Sequence, residues 1–145
     1  MRLNLGCGNE YKEGWTNVDR DDKVKAELHI DLEKPLIKWF ENDSVDEVYG
    51  KYIIEHIQND NTFFNWLYRI CKNNAIVTLF APVFPGDAAI DWDHKSFWNY
   101  RKLHYLDKKN RANDMGLDCN FKIINYEERE ELGSLVFKAV LKVVK

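Results

Sequence analysis

Proline and glycine are scarce, three and seven among 145 residues. With 45% hydrophobic and 14% aromatic residues, such a chain folds as a globule and is not a disordered polymer. Cysteine is scarce too. Cys7, Cys71 and Cys119 are far apart and odd in number, which excludes a disulfide framework and a zinc-type spacing and points to reduced thiols in a cytoplasmic setting. No apolar run approaches the ~18 residues of a membrane span. A strand already opens at Arg2, so no secretory leader is expected. The net charge of −3 gives no electrostatic ground for a nucleic-acid partner. Repeats, low-complexity segments and interdomain linkers are absent. The length is that of one domain, residues 1–145, large enough to bury roughly 68–70% of its unfolded surface.

What is present is a succession of short apolar runs. Residues 2–5, 16–18, 27–30 and 44–49 read as four strands, the third ending on Asp31-Leu32 and the fourth pointing Val45 and Val48 inward. Residues 9–14 and 21–23 are polar turns, and 35–40 read either as a short helix or as a turn. Asp60 or Asn61 suits an N-cap. Phe63, Phe64, Leu67, Ile70 and Cys71 then recur at helical spacing, and Asn73-Asn74 ends the helix. The continuous apolar run 75–80 is expected of a central parallel strand buried on both faces. Residues 86–100 read as a long loop over the active face and 103–115 as a helix closed by Gly116. Runs 121–126 and 135–144 read as the last two strands, the final one lysine-bearing and near an edge. Strands alternating with crossovers imply an α/β, doubly wound sheet.

The chemistry is concentrated at the start. Leu3-Asn4-Leu5 runs into Gly6-Cys7-Gly8, and ten residues beyond Asn9 the second strand closes on Asp19. Glycines let the backbone approach a ligand at φ values that a Cβ forbids. An acid at the tip of the next strand can accept both ribose hydroxyls. The combination points to a nucleoside cofactor. A simple strand-to-loop turn and an exposed strand-end acid are the plainer alternatives.

Five segments in order, Leu3 to Asn9, Gly14-Trp15-Thr16-Asn17-Val18-Asp19, Asp31-Leu32, Ser44 to Tyr49 and Glu55-His56-Ile57, resemble the class I S-adenosylmethionine-dependent methyltransferases. More narrowly they resemble a small, shortened branch in which Gly-Trp-x-Asn-x-Asp closely follows the glycine loop. The resemblance covers about residues 3–82. It implies a Rossmann-like sheet of about seven strands, mostly parallel with the last antiparallel, and S-adenosylmethionine as cofactor with S-adenosylhomocysteine as product. Carried over, Gly6, Cys7 and Gly8 line the methionine part, Asp19 holds the ribose, Arg20 lies by the adenine, and Asp31 and Leu32 face the adenine. Tyr49 and Gly50 line the wall below the sulfonium. The sequence departs from the family in one spacing: Gly8 to Asp19 is much shorter than the ~20 residues usual in nucleotide-binding βαβ units, so the first crossover helix is expected to be reduced or absent.

The catalytic candidates lie further on. His94, beside Asp93, could serve as a general base for a hydroxyl acceptor, and His56 is the second candidate. His56 also reads as a partner that pins the loop after the fourth strand. Asp91-x-Asp93-His94 offers two carboxylates and one imidazole on a loop, an insufficient ligand set, so no metal is expected. Trp92, Phe97, Trp98 and Tyr100 form either an apolar lid, a platform for a sugar or aromatic ring, or core. Lys102, Lys108, Lys109 and Arg111 could meet a phosphate or form a solvated helix face. The expected acceptor is a small molecule or saccharide, with no nucleic acid and no membrane. The alternatives are a catalytically inactive cofactor-binding module, a homo-oligomer, or a partner subunit of another methyltransferase. A dinucleotide oxidoreductase ranks low because Tyr11 stands where Gly-x-Gly-x-x-Gly needs its third glycine.

Overall fold

Leu3, Leu5, Val18, Val48, Val77 and Leu79 are all fully buried, and gathering them into one layer draws the short apolar runs into register. The computed structural model describes residues 1–34, 38–111 and 115–145. Its strands are β1 (Arg2–Leu5), β2 (Thr16–Asp19), β3 (Leu28–His29), β4 (Val45–Lys51), β5 (Cys71–Pro82), β6 (Phe121–Glu131) and β7 (Ser134–Val143). They form one seven-stranded sheet in the order β3-β2-β1-β4-β5-β7-β6. Strands β3, β2, β1, β4 and β5 pair in parallel, and β7 is antiparallel to both β5 and β6. Register places Leu3, Val48, Val77 and Leu141 in one row across four strands. The expected seven-stranded Rossmann-like sheet with a single antiparallel strand is therefore present.

Two helices, α1 (Asp60–Ile70) and α2 (Tyr100–His104), cover one face. Phe63, Phe64, Leu67 and Ile70 of α1 and Leu103 of α2 join the same cluster as the sheet row. The Phe64 ring lies 5.3 Å from that of Trp98 and 6.0 Å from that of Phe121. On the opposite face, strand alternation presents Glu47, Tyr49 and Lys51 of β4, Ile76 and Thr78 of β5, and Lys138, Val140 and Lys142 of β7, all partly exposed. Among the described residues no helix lies on that face.

The first crossover carries no helix, as its length predicts. Its place is taken by a loop folded onto two buried amides. Asn4 Nδ2 donates to Asn17 Oδ1 (2.7 Å) and to the Glu10 carbonyl (2.8 Å). Asn17 Oδ1 accepts from the Lys12 amide (2.8 Å), and its Nδ2 donates to the Lys12 and Trp15 carbonyls. Trp15 is partly exposed rather than core, with the Arg2 guanidinium 5.2 Å from its ring.

Several boundaries differ from the sequence reading. The N-cap of α1 is Asn59, whose side chain accepts from the Thr62 amide. The helix stops at Ile70 because Cys71 is already extended and begins β5. Asn74 takes φ 69°, and the β4–β5 pairing jumps from Val45↔Cys71 to Glu47↔Ile76. In place of one helix over 103–115 there is the short α2, capped by the Asn99 side chain. A separate 3-10 turn, Lys108–Asn110, follows, started by Asp107 accepting from the Lys109 amide. Residues 112–114 of that expectation lie outside the described residues, as do 35–37 of the expected short helix. β7 does lie near an edge as expected, one strand in, between β5 and the edge strand β6, with Val136, Phe137, Ala139, Leu141 and Val143 buried.

Candidate active site

The turn after β1 is built on two glycines in the left-handed region, Gly6 at φ 61° and Gly8 at φ 46°. It is closed by the Cys7 amide donating to the Val18 carbonyl (3.1 Å). Asp19, at the end of β2, faces this turn. Its Oδ2 accepts from the Gly8 amide (2.8 Å) and its Oδ1 from the Asp21 amide (3.0 Å). Each oxygen has two acceptor positions, so one on each remains for a further donor. A pair of vicinal hydroxyls matches that arrangement.

The residues around Asp19 border an open cleft lined by Gly6, Asp19, Arg20, Ile30, Asp31, Leu32, Glu33, Tyr52, Ile53, His56 and Ile57. It lies at the carboxyl ends of β1 to β4, where ligands sit in open α/β sheets. Five of the expected cofactor residues, Gly6, Asp19, Arg20, Asp31 and Leu32, thus meet in one place, with His56 at the same wall. The Asp31 carboxylate accepts from the Glu33 amide (3.0 Å). Ile30, Leu32, Ile53 and Ile57 give the cleft an apolar side on which a planar base could lie. A second cleft, lined by Asn4, Gly6, Cys7, Asn9, Glu10, Tyr49, Lys51 and Tyr52, adjoins the first at Gly6 and Tyr52. Tyr52 takes φ 57°, a conformation uncommon outside glycine that concentrates at functional sites.

The other expected cofactor residues lie outside the first cleft, Cys7 and Tyr49 in the second. Cys7 is buried, and burial foremost pushes its thiol pKa up, the opposite of nucleophile activation. Tyr49 points to the helix-free face, its ring 3.9 Å from the Lys12 ammonium, and lines only the second cleft. Gly50 lies beneath Ile53: a Cβ there would come 3.0 Å from Ile53 Cγ2.

Beside the first cleft stands a cluster of side chains from two segments. Glu55 and His56 belong to the 3-10 turn Ile54–His56 that follows β4, and Asp93 and His94 come from the loop after β5. The His56 and His94 rings meet edge-on at 4.8 Å. His56 Nδ1 lies 3.4 Å from Asp93 Oδ2. Glu55 is 3% exposed, and desolvation pushes its carboxyl pKa up to about 8. The sequence reading paired His94 with Asp93 and passed over Glu55. The signal was there: an acid inside the apolar run Ile53-Ile54-Glu55-His56-Ile57 has to be buried with its neighbours.

The aromatic loop divides. Trp98 is core, its Nε1 donating to the Ile54 carbonyl (3.3 Å). Tyr100 packs on Tyr126 at 5.0 Å. Phe97 lies against Phe84 with both partly exposed, and Trp92 is fully exposed. The basic residues do not assemble: Lys102 pairs with Asp60 (2.6 Å), Lys109 with Asp107 (3.7 Å), and Arg111 donates to the Cys119 carbonyl (2.6 Å).

No protein-family model matches the chain, and no curated protein matches it. Solved structures do. An S-adenosylmethionine-dependent methyltransferase from Methanosarcina mazei superposes with a TM-score of 0.69 at 13% identity, over 99% of this chain and 92% of its own. One from Archaeoglobus fulgidus gives 0.68 at 16% identity, over 97% and 85%. A chain from the complex that contains the Haloferax volcanii Trm112 methyltransferase activator gives 0.71 at 11% identity, over 99% and 82%. At these identities the likeness is one of fold: the chain has the sheet architecture of these proteins over nearly its whole length.

Proposed function

We propose that this protein transfers a methyl group from S-adenosylmethionine to a small-molecule or saccharide acceptor, releasing S-adenosylhomocysteine. The observation that carries the reading is the convergence of Gly6, Asp19 and Asp31 on one cleft at the carboxyl ends of β1 to β4. The sheet that presents them is shared with methyltransferases of known structure.

The residues fit the cofactor. Asp19 has one open acceptor position on each oxygen for the ribose hydroxyls. Ile30, Leu32, Ile53 and Ile57 form the apolar side for the adenine, with the Asp31 carboxylate to accept from its exocyclic amine and Arg20 at the rim. Gly6 joins the first cleft to the second, where Cys7 and Tyr49 would border the methionine part and the open backbone at Gly8 admits it. Gly50 supports this wall from behind Ile53. When bound, the cofactor supplies an electrophilic methyl group. The chain supplies position, which accounts for much of the acceleration in such reactions. For an oxygen acceptor His94 or His56 takes the proton, with Asp93 orienting His56; a nitrogen acceptor needs no base. Exposed Trp92 gives a ring or sugar a face to stack on.

Calorimetric titration with S-adenosylmethionine and S-adenosylhomocysteine tests this. Micromolar binding is expected, weakened at least tenfold in Asp19→Ala, or about 1.4 kcal/mol. No binding of either ligand by a well-folded sample would sink the reading for the isolated chain. Two observations favour a second reading, a cofactor-binding module or partner subunit that turns over only in a complex. The sheet leaves one face without a helix among the described residues, and one structural neighbour comes from a complex with an activator. Binding without turnover in an acceptor screen supports it.

A further inference from the structure

We infer that Glu55, His56 and His94 form a binding site for a divalent first-row transition-metal ion. One donor atom of each lies within 4.8 Å of the other two. Two imidazoles and one carboxylate are the borderline donor set such ions take. Three protein ligands are also the number that leaves coordination positions open for water or substrate.

The outer nitrogens each face a carbonyl. His94 Nδ1 lies 3.4 Å from the Ala89 carbonyl, and His56 Nδ1 lies 3.3 Å from the Asp93 carbonyl. Carbonyls only accept, so a hydrogen bond at either contact needs the proton on Nδ1 and leaves Nε2 with the free lone pair. Metal-ligating histidines are oriented in this way, by donation from the other ring nitrogen to a carbonyl or carboxylate. Glu55 supplies the second, independent observation. Its Oε2 is buried without a hydrogen-bond partner in a side chain 3% exposed. A buried carboxylate oxygen left unpaired is costly, and a cation facing it removes the cost.

The backbone holds the ligands together. Lys95 and Ser96 both donate their amides to the Glu55 carbonyl (2.8 and 3.0 Å), which fixes the segment next to His94 onto the residue next to His56. Bonds of about 2.1 Å need donors about 3.4 Å apart. The site stands without the cofactor reading. Its use does rest on that reading: His56 also lines the cofactor cleft, so an ion held there would take over from His56 and His94 the task of activating an acceptor oxygen, by lowering that oxygen's pKa.

The test is titration of the chelator-stripped full chain with Co2+, followed by visible absorption, with metal stoichiometry measured by mass spectrometry. Saturable binding near one equivalent is expected. It should weaken at least tenfold in His56→Ala, His94→Ala and Glu55→Gln, each checked for folding by circular dichroism. It should persist in a chain carrying His29→Ala and His104→Ala, which removes the two histidines outside the cluster. Absence of saturable binding up to about 1 mM Co2+ overturns the inference, as does binding that survives His94→Ala. Because no cofactor is present, failure here leaves the cofactor titration standing, and failure of that titration leaves this one standing.

Discussion

Gly6 and Gly8 share a left-handed backbone but not their surroundings, and that separates two costs at single residues. A Cβ on Gly8 would meet nothing within 4 Å, whereas one on Gly6 would come 2.8 Å from Ile53 Cδ1. Gly8→Ala therefore costs the conformational term alone, about 1–2 kcal/mol. Gly6→Ala adds an overpacking term of about 1–3 kcal/mol. Urea unfolding of the two variants should rank Gly6→Ala as the more damaging. Adding Ile53→Val should recover part of the Gly6→Ala loss and none of the Gly8→Ala loss. Equal losses would mean that Ile53 moves aside freely. At this scale much of the site was legible. Gly6, Asp19 and Asp31 could be brought together because each stands at or just beyond the end of a strand, and a strand's end fixes where a side chain goes. The burial of Glu55 was legible in its apolar run, but its nearness to His94 was not, because His94 is 39 positions away and no local pattern joins the two.

The loop between β1 and β2 is the element on which the cleft depends, and it hangs on Glu27. Tyr11 Oη donates to Glu27 Oε1, and Oε2 accepts from the Asn17 amide (2.6 Å) and from Asn17 Nδ2 (3.0 Å). The Tyr11 hydrogen bond foremost, then those from Asn17, lower the Glu27 carboxyl from 4.5 to about 2. A depressed folded-state pKa gives stability that is present above the unfolded value and lost as pH falls through the folded one. The stability gap between the native chain and Glu27→Gln should hold steady above about pH 4.5 and close between there and about pH 2. Tyr11→Phe should move the Glu27 titration, followed by carboxyl carbon resonances, back toward 4.5. A midpoint unchanged by that substitution would show that Asn17 alone sets it. Strands were legible in the sequence because apolar runs have to be buried, and each of the seven runs overlaps an observed strand, although β5 already begins at Cys71 and β6 runs on to Glu131. Helix ends were not, since side-chain caps decide them: Asn59 took the role expected of Asp60 or Asn61, and Asp107 began a turn of its own.

On the scale of the molecule, one apolar cluster joins every layer. Leu3 and Val18 at one side of the sheet, Phe63 and Phe64 of α1, Trp98 and Leu103 near α2, and Phe121, Leu141 and Val143 at the other side belong to it. Among the described residues the helix-free face adds no second cluster, its partly exposed positions being mixed charged, aromatic and aliphatic. A structure held by one cluster should unfold in one step, so circular dichroism and tryptophan fluorescence should report the same transition. Trp98 is 2% exposed, and its ring lies 5.3 Å from that of Phe64, which makes the fluorescence sensitive to the shared core. Phe64→Ala should lower stability by about 3–5 kcal/mol. At about 2–4 °C per kcal/mol for a chain approaching this size, the midpoint should fall by about 10 °C with the two probes still coincident. Fluorescence running ahead of circular dichroism would show that α1 and the Trp98 segment detach before the sheet. The cofactor cleft, built on the loops of β1 to β4, would then belong to a unit that outlasts its helical cover.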